Sequence, residues 1–243
     1  MHLPVQPIKQ NLKIPSKNKI QSRFKQQGAF MSTRPSKIVC VGRNYAEHAK
    51  ELGNAIPDRA ILFIKPPSSL AALNQGISWN LDLGECHYEC EICLQIAHPL
   101  SQEKDSIKAL EAVGAVTAGL DLTLRDLQGD LKAKGEPWER AKAFDGACLL
   151  ADWIEIDEIG DLQELELILN INGVERQHGF SRDMIRDIGT LLVEINQCFS
   201  LEAGDVIMTG TPAGVGALRA NDQLTMKLIT QSGEYDWDTF VKA

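Results

Sequence analysis

Short apolar runs separated by Gly, Pro, Asn and Asp fill the chain from residue 37 onward, and few stretches show the three-to-four spacing of a helix. KIVCVG (37–42) and AILFIKP (60–66) read as strands, with NYAEHAKELG (44–53) between them as a short helix stopped by Gly53. WNLDLGECHYECEICLQIA (79–97) reads as a turn running into one long strand, and residues 105–112 as a helix that enters the strand AVTAGLDL (115–122). LTLRDLQGDLKAKG (122–135) has helical spacing, with Gly135 as its stop and Pro137 beyond it. Asn172-Gly173 between β-rich runs is a strong hairpin signal. DMIRDIGTLLVEINQCFSL (183–201) predicts the longest helix, before GDVIMTGTPAGVGAL (204–218) and DQLTMKLIT (222–230) return to strands around a Gly-rich loop. Many short strands and few helices predict a sheet-dominated α+β fold.

The chain has 243 residues, enough for one domain with an enzyme-sized core. Its 44% hydrophobic and 24% charged residues are ordinary for a globular protein. No run approaches the roughly 18 apolar residues of a membrane helix, so no membrane association is expected. The net charge of −8 is unevenly spread: residues 1–30 hold six of the 25 Lys and Arg and none of the 33 Asp and Glu. This basic leader, with three prolines and no apolar stretch, is no signal peptide. It is either a flexible arm or lies ahead of a true start at Met31, so the expected domain division is 1–30 as extension and 31–243 as the main domain. The acidic remainder disfavours nucleic acid, whose binding depends on phosphate neutralisation, and suits a protein that keeps carboxylates for cations.

The densest chemistry lies in GECHYECEICLQIA (84–97), with three cysteines, a histidine and three glutamates. On a strand, His87, Glu89 and Glu91 project to one face and Cys86, Tyr88 and Cys90 to the other. Cys93 shares the glutamate face one pleat further on, but the single CxxC of Cys90 and Cys93 has no second pair to complete a structural zinc site. The cysteines are expected to be free thiols in a reducing cytosol, which makes the protein cytoplasmic. Two carboxylates at i and i+2 can converge on one ion, or be solvated on an exposed face. Asp121, where an apolar strand hands over to a helix, offers a third oxygen, although an aspartate there also suits a helix N-cap. Three hard oxygen donors select Mg²⁺, Mn²⁺ or Ca²⁺ over zinc.

GRNYAEHAKELG, LFIKP, HYECE, GLDLTLRDLQ, GEPWERAKAFD and GDVIMTGTPAGVG, in this order between Lys37 and Lys227, resemble the fumarylacetoacetate hydrolase family. The similarity is to its small single-domain branch of acylpyruvate hydrolases and oxaloacetate decarboxylases. The resemblance implies a mixed β-roll or sandwich with flanking helices, a homodimer, and a small 2-oxo acid as substrate. It implies that Glu89, Glu91 and Asp121 hold Mg²⁺, and that His48 and Glu51 form a dyad on a short helix that closes over the site. Lys142 is implied as a catalytic lysine, with Gln128, Thr211, Arg43 and Lys65 as substrate contacts.

The residue types agree with such chemistry. His48 and Glu51 stand at i and i+3, so on a helix the carboxylate can orient the imidazole. Lys142 lies between Trp138 and Phe144, and a buried ammonium there needs an anionic partner; on the surface it would be one more solvated lysine. The expected reaction is hydrolysis of a carbon–carbon bond in an acylpyruvate, with His48 taking a proton from water. Oxaloacetate decarboxylation or tautomerisation, or isomerisation of a 2-hydroxydienedioate, needs no water and is the alternative. A purely structural cation site in a binding module is the non-enzymatic reading.

Overall fold

The computed structural model describes residues 34–243 apart from 52 and 54, and these form one compact unit. The basic extension of residues 1–30 lies outside the described residues. Strands β1 (Ile38–Gly42), β2 (Ile61–Lys65), β3 (Leu70–Ala72), β4 (Cys86–Tyr88), β5 (Cys90–Ile96) and β6 (Val113–Asp121) come first. They are followed by β7 (Thr123–Leu124), β8 (Cys148–Leu150) and β9 (Ile154–Glu155). The large sheet has eight strands in the order β2-β1-strand 206–208-β5-β6-β8-β3, with β9 also on β6. Strand 206–208, β12 (Val206–Met208), runs parallel to β1 and antiparallel to β5. Four consecutive buried residues open β1, the continuous apolar run of a strand covered on both faces.

A second sheet of four strands joins β10 (Glu166–Ile171), β11 (Val174–Phe180), β14 (Gln223–Ile229) and β15 (Glu234–Phe240). Buried residues alternate strictly along β10 and along most of β14, so one face covers the core and the other meets solvent. The hairpin between β10 and β11 turns at Asn172 (φ 54°) and Gly173 (φ 75°), both left-handed as its two-residue turn requires. A third sheet of three strands pairs β4 with β7 and with β13 (Gly216–Ala217). The sheet-dominated α+β architecture therefore stands.

Two sequence expectations change. The glutamate stretch is two strands rather than one: β4 belongs to the small sheet and β5 to the large one, and the chain changes sheets at Glu89. The longest helix, α5 (Ile188–Cys198), begins five residues later than its periodicity suggested, because the Asp187 side chain accepts a hydrogen bond from Thr190 N at 2.7 Å and caps it there. Among the described residues the other helices are α1 (Ala46–Glu51), α2 (Ser106–Leu110), α3 (Arg125–Lys134) and α4 (Glu139–Lys142). Gly135 ends α3 in the left-handed conformation (φ 68°), as expected. No helix among the described residues is long and apolar enough to cross a membrane.

Gly119 is a point where the large sheet has no room for a side chain. It lies on β6 between β5 and β8, and a Cβ there would sit 2.7 Å from Cys93 Sγ and 2.8 Å from Leu149 O. Overpacking of this kind costs roughly 1–3 kcal/mol. Gly119→Ala should therefore lower the unfolding free energy by that amount in equilibrium denaturation, and an unchanged free energy would show that the sheet yields freely at this point.

Candidate active site

The register of β5 against β6 assembles the acidic centre. Glu91 lies opposite Gly119, and Asp121 N donates to Glu89 O at 2.8 Å. Gly119 and Asp121 share one face of β6, as Glu89 and Glu91 share one side of their segment. One oxygen from each of Glu89, Glu91 and Asp121 lies within 4.8 Å of the others, and all three residues are buried. Asp121 ends β6 and caps no helix, since Leu124 occupies the N-cap position of α3.

Three cations compensate two of these carboxylates. Lys142 Nζ donates to Glu89 Oε2 at 2.7 Å and to Asp121 Oδ2 at 2.8 Å, so the buried lysine has the anionic partners its burial demands. Arg125 Nη2 donates to Glu89 Oε1 at 2.5 Å, and its Nη1 to Gln128 Oε1 at 2.9 Å. Lys65 Nζ is 2.8 Å from Asp121 Oδ1, within ion-pair range but without a hydrogen bond to it; its protons go to the carbonyls of Leu122 and Lys142. Among the described residues Glu91 has no cation of its own. Its Oε2 accepts from Gly210 N at 2.7 Å.

Burial opposes the charge on Glu89, but Lys142 and Arg125 outweigh it and hold the carboxyl well below its ordinary value. Burial likewise opposes the charge on Lys142, and Asp121 and Glu89 outweigh it, so the ammonium stays protonated. Glu91 moves the other way. Burial and then the neighbouring charges of Asp121 and Glu89 push its carboxyl well above the ordinary range. Asp121 Oδ1 is buried and accepts no hydrogen bond. A buried oxygen without a hydrogen bond and a carboxylate short of positive charge, in an all-oxygen donor set, are what a divalent cation of the Mg²⁺ or Mn²⁺ class would satisfy. The residues present fit such an ion.

A cavity over this centre is lined by the acidic trio together with Arg43, His48, Gln128, Lys142 and Thr211. His48 is buried on α1, with Nδ1 3.2 Å from Glu51 Oε2, and Glu51 accepts from Gly214 N at 3.1 and 3.2 Å. Gly214 has φ 100° and approaches Arg176 O so closely that no Cβ fits, which lets the 204–218 loop reach α1. The Thr211 hydroxyl donates to Cys90 O and accepts from Gln177 Nε2, each at 2.7 Å. Lys65 differs from its expected place as a substrate contact: it is fully buried beneath Asp121 and does not line the cavity. Arg125 and Lys132 do line it. Their spacing of seven, with Gln128 between them, was a legible signal of one helix face.

Cys86, Cys90 and Cys93 are free and buried, and burial pushes Cys86 up to about 12. Cys93 packs with Cys40, Cys148 and Met208 in an apolar cluster, and no thiolate site forms among the described residues.

The Glu91 shift sets a pH dependence. A carboxyl whose folded pKa lies above its unfolded value stabilises the fold at low pH, and that contribution is lost as pH rises through the folded value. Chelator-treated protein should lose thermal stability as pH rises above the ordinary carboxylate range, and Glu91→Gln should abolish this loss. Saturating Mg²⁺ or Mn²⁺ should also remove it, with proton release detectable by calorimetry in buffers of different ionisation enthalpy. Metal-free protein whose stability rises steadily with pH over that range would contradict the shift.

The family described as fumarylacetoacetate (FAA) hydrolase C-terminal matches residues 37–236. The chain is 45% identical over 201 residues to the oxaloacetate tautomerase YcgM of Escherichia coli K12, covering 82% of this chain and 91% of that one. It is 41% identical over 184 residues to the mitochondrial oxaloacetate decarboxylase of Dictyostelium discoideum, covering 75% and 84%. Among solved structures it resembles the fumarylpyruvate hydrolase of Pseudomonas aeruginosa in complex with Mn²⁺ and pyruvate. That likeness has a TM-score of 0.80 and 27% identity, covering 89% of this chain and 94% of that one. With a family match across most of the chain and relatives of this similarity, the protein belongs to the fumarylacetoacetate hydrolase family.

Proposed function

We propose that the protein is a divalent-cation-dependent enzyme that moves a proton within a 2-oxo acid, and that its main reaction is the keto–enol tautomerisation of oxaloacetate. The observation that carries this reading is the His48–Glu51 pair on the wall of a cavity floored by three buried carboxylates. The tautomerase and decarboxylase relatives support it over the acylpyruvate hydrolysis expected from the sequence.

Glu89, Glu91 and Asp121 would hold the cation, with Mg²⁺ as the proposed ion. When bound it supplies a Lewis acid for the carboxylate and keto oxygens of the substrate. The chain's own groups do the rest. Glu51 engages Nδ1 of His48, which leaves Nε2 to exchange a proton with a molecule in the cavity. Nε2 takes the proton from C3 of the keto acid and returns it at the keto oxygen, so no water is consumed and the proton count balances. Lys142, held protonated by Glu89 and Asp121, supplies positive charge next to the developing oxyanion. The Gln128 carbonyl oxygen accepts from Arg125, which leaves its amide N–H groups as donors on the cavity wall.

Hydrolysis of an acylpyruvate stays as a second reading, supported by the likeness to a fumarylpyruvate hydrolase. There His48 would take its proton from water instead. The test is a comparison of three activities in Mg²⁺-loaded protein: oxaloacetate tautomerisation followed by enol absorbance, pyruvate release from oxaloacetate, and acetylpyruvate hydrolysis. Tautomerisation should dominate. His48→Ala should reduce it by roughly 10²–10⁴-fold, the usual contribution of a positioned base, and reduce decarboxylation far less. Acetylpyruvate turnover exceeding that of oxaloacetate would sink the tautomerase reading.

A further inference from the structure

Lys132 is a charged residue on the cavity wall that neither the acidic trio nor the His48–Glu51 pair requires. It lies on α3 seven residues after Arg125 and is half-buried. Among the described residues its ammonium makes no ion pair and no hydrogen bond, and its contact is with the Trp138 ring, 5.2 Å from the centroid. Burial holds its pKa below the ordinary lysine value, and repulsion from Arg43, Arg125 and Lys142 adds to this. An exposed cation–π contact returns only a fraction of what such crowding costs.

The cavity's charge balance points the same way. With all three carboxyls ionised, as a bound cation would require, Arg43, Arg125, Lys132 and Lys142 face Glu89, Glu91 and Asp121 along its lining, an excess of one positive charge. A divalent cation in the acidic trio raises the excess to three. A monocarboxylate substrate would leave two of these unanswered, and a dicarboxylate one. The geometry separates the positive charge into two ends. Lys142 Nζ sits 5.1 Å from the Phe63 ring, Phe63 lies 6.1 Å from Trp138, and Lys132 stands over the far ring of this aromatic pair. One end therefore holds the acidic trio with Lys142, and the other holds Lys132. Arg43, in the left-handed conformation at φ 59°, lines the same cavity as a second cation without an ion pair among the described residues.

We infer that Lys132, seconded by Arg43, receives the far carboxylate of a dicarboxylic 2-oxo acid and so sets the preference of this site for diacids over monoacids. The inference rests on the 2-oxo acid reading given above and names the residue that selects within that class. Lys132 acts by placing the substrate. Its loss should raise KM for the diacid and leave kcat nearly unchanged, because the group takes no part in the proton transfer.

Malate and 2-hydroxybutanoate, which share the chelating end and differ only in a terminal carboxylate or methyl, are suitable unreactive probes. Calorimetric titration of Mn²⁺-loaded protein should show malate binding at least roughly tenfold more tightly, one charge-assisted pair's worth of discrimination. Lys132→Met should bring the ratio near one without weakening 2-hydroxybutanoate, and Lys132→Arg should restore it. With oxaloacetate, Lys132→Met should raise KM by a similar factor. A native protein that binds both probes equally, or a preference that survives in Lys132→Met, overturns the inference. A preference that is lost in Lys132→Met in a protein that does not turn over oxaloacetate upholds the subsite and sinks the tautomerase reading, so the two failures are distinguishable.

Discussion

Three buried carboxylates within 4.8 Å of one another repel strongly in a low-dielectric interior, and the fold exists around the means of holding them there. The compensation comes from distant parts of the chain. Lys142 arrives from the end of α4, Lys65 from the end of β2, and Arg125 from the first turn of α3. None of these contacts is local in sequence. The β5–β6 register and the change of sheets at Glu89 are the backbone conditions under which the three oxygens can meet.

Burying such a network is not a route to stability, because desolvating the charges offsets most of their attraction. What the arrangement supplies is a fixed imbalance. Glu89 and Asp121 each have strong cationic partners, whereas Glu91 has only the Gly210 N–H, and Asp121 keeps one oxygen without a hydrogen bond. The positive charge that would complete the set is missing at one place, and that place opens on the cavity that His48 lines. Electrostatics, binding and proton transfer thereby share a single origin: residues that tolerate each other only with a cation present are the ones a 2-oxo acid would meet.

Much of this was legible in the sequence where the signal is local. Period-two alternation assigned Glu89 and Glu91 to one face, Asn172-Gly173 marked a hairpin, and Gly135 ended α3. The Cys93 side chain falls on the glutamate face as that alternation requires, yet packs into an apolar cluster with Cys40 and Cys148. Long-range facts were hidden. Nothing local tells that the segment changes sheets at Glu89, since hydrophobic alternation continues straight through it. The depth of Lys65 depends on packing of β2 against residues 122 and 142, and sequence spacing carries no information about that. Arg125 and Lys132 stood in plain view at helical spacing, but their significance depends on which face of α3 meets the cavity.

The central claim is that Glu89, Glu91 and Asp121 form a single divalent-cation centre whose vacancy in charge is filled by the ion. Crystals soaked in Mn²⁺ and measured above and below the manganese absorption edge test it directly. One strong anomalous peak among these three carboxylates, lost in Glu91→Gln crystals, is the expected result. Anomalous density at other carboxylates with none at the trio would contradict the account.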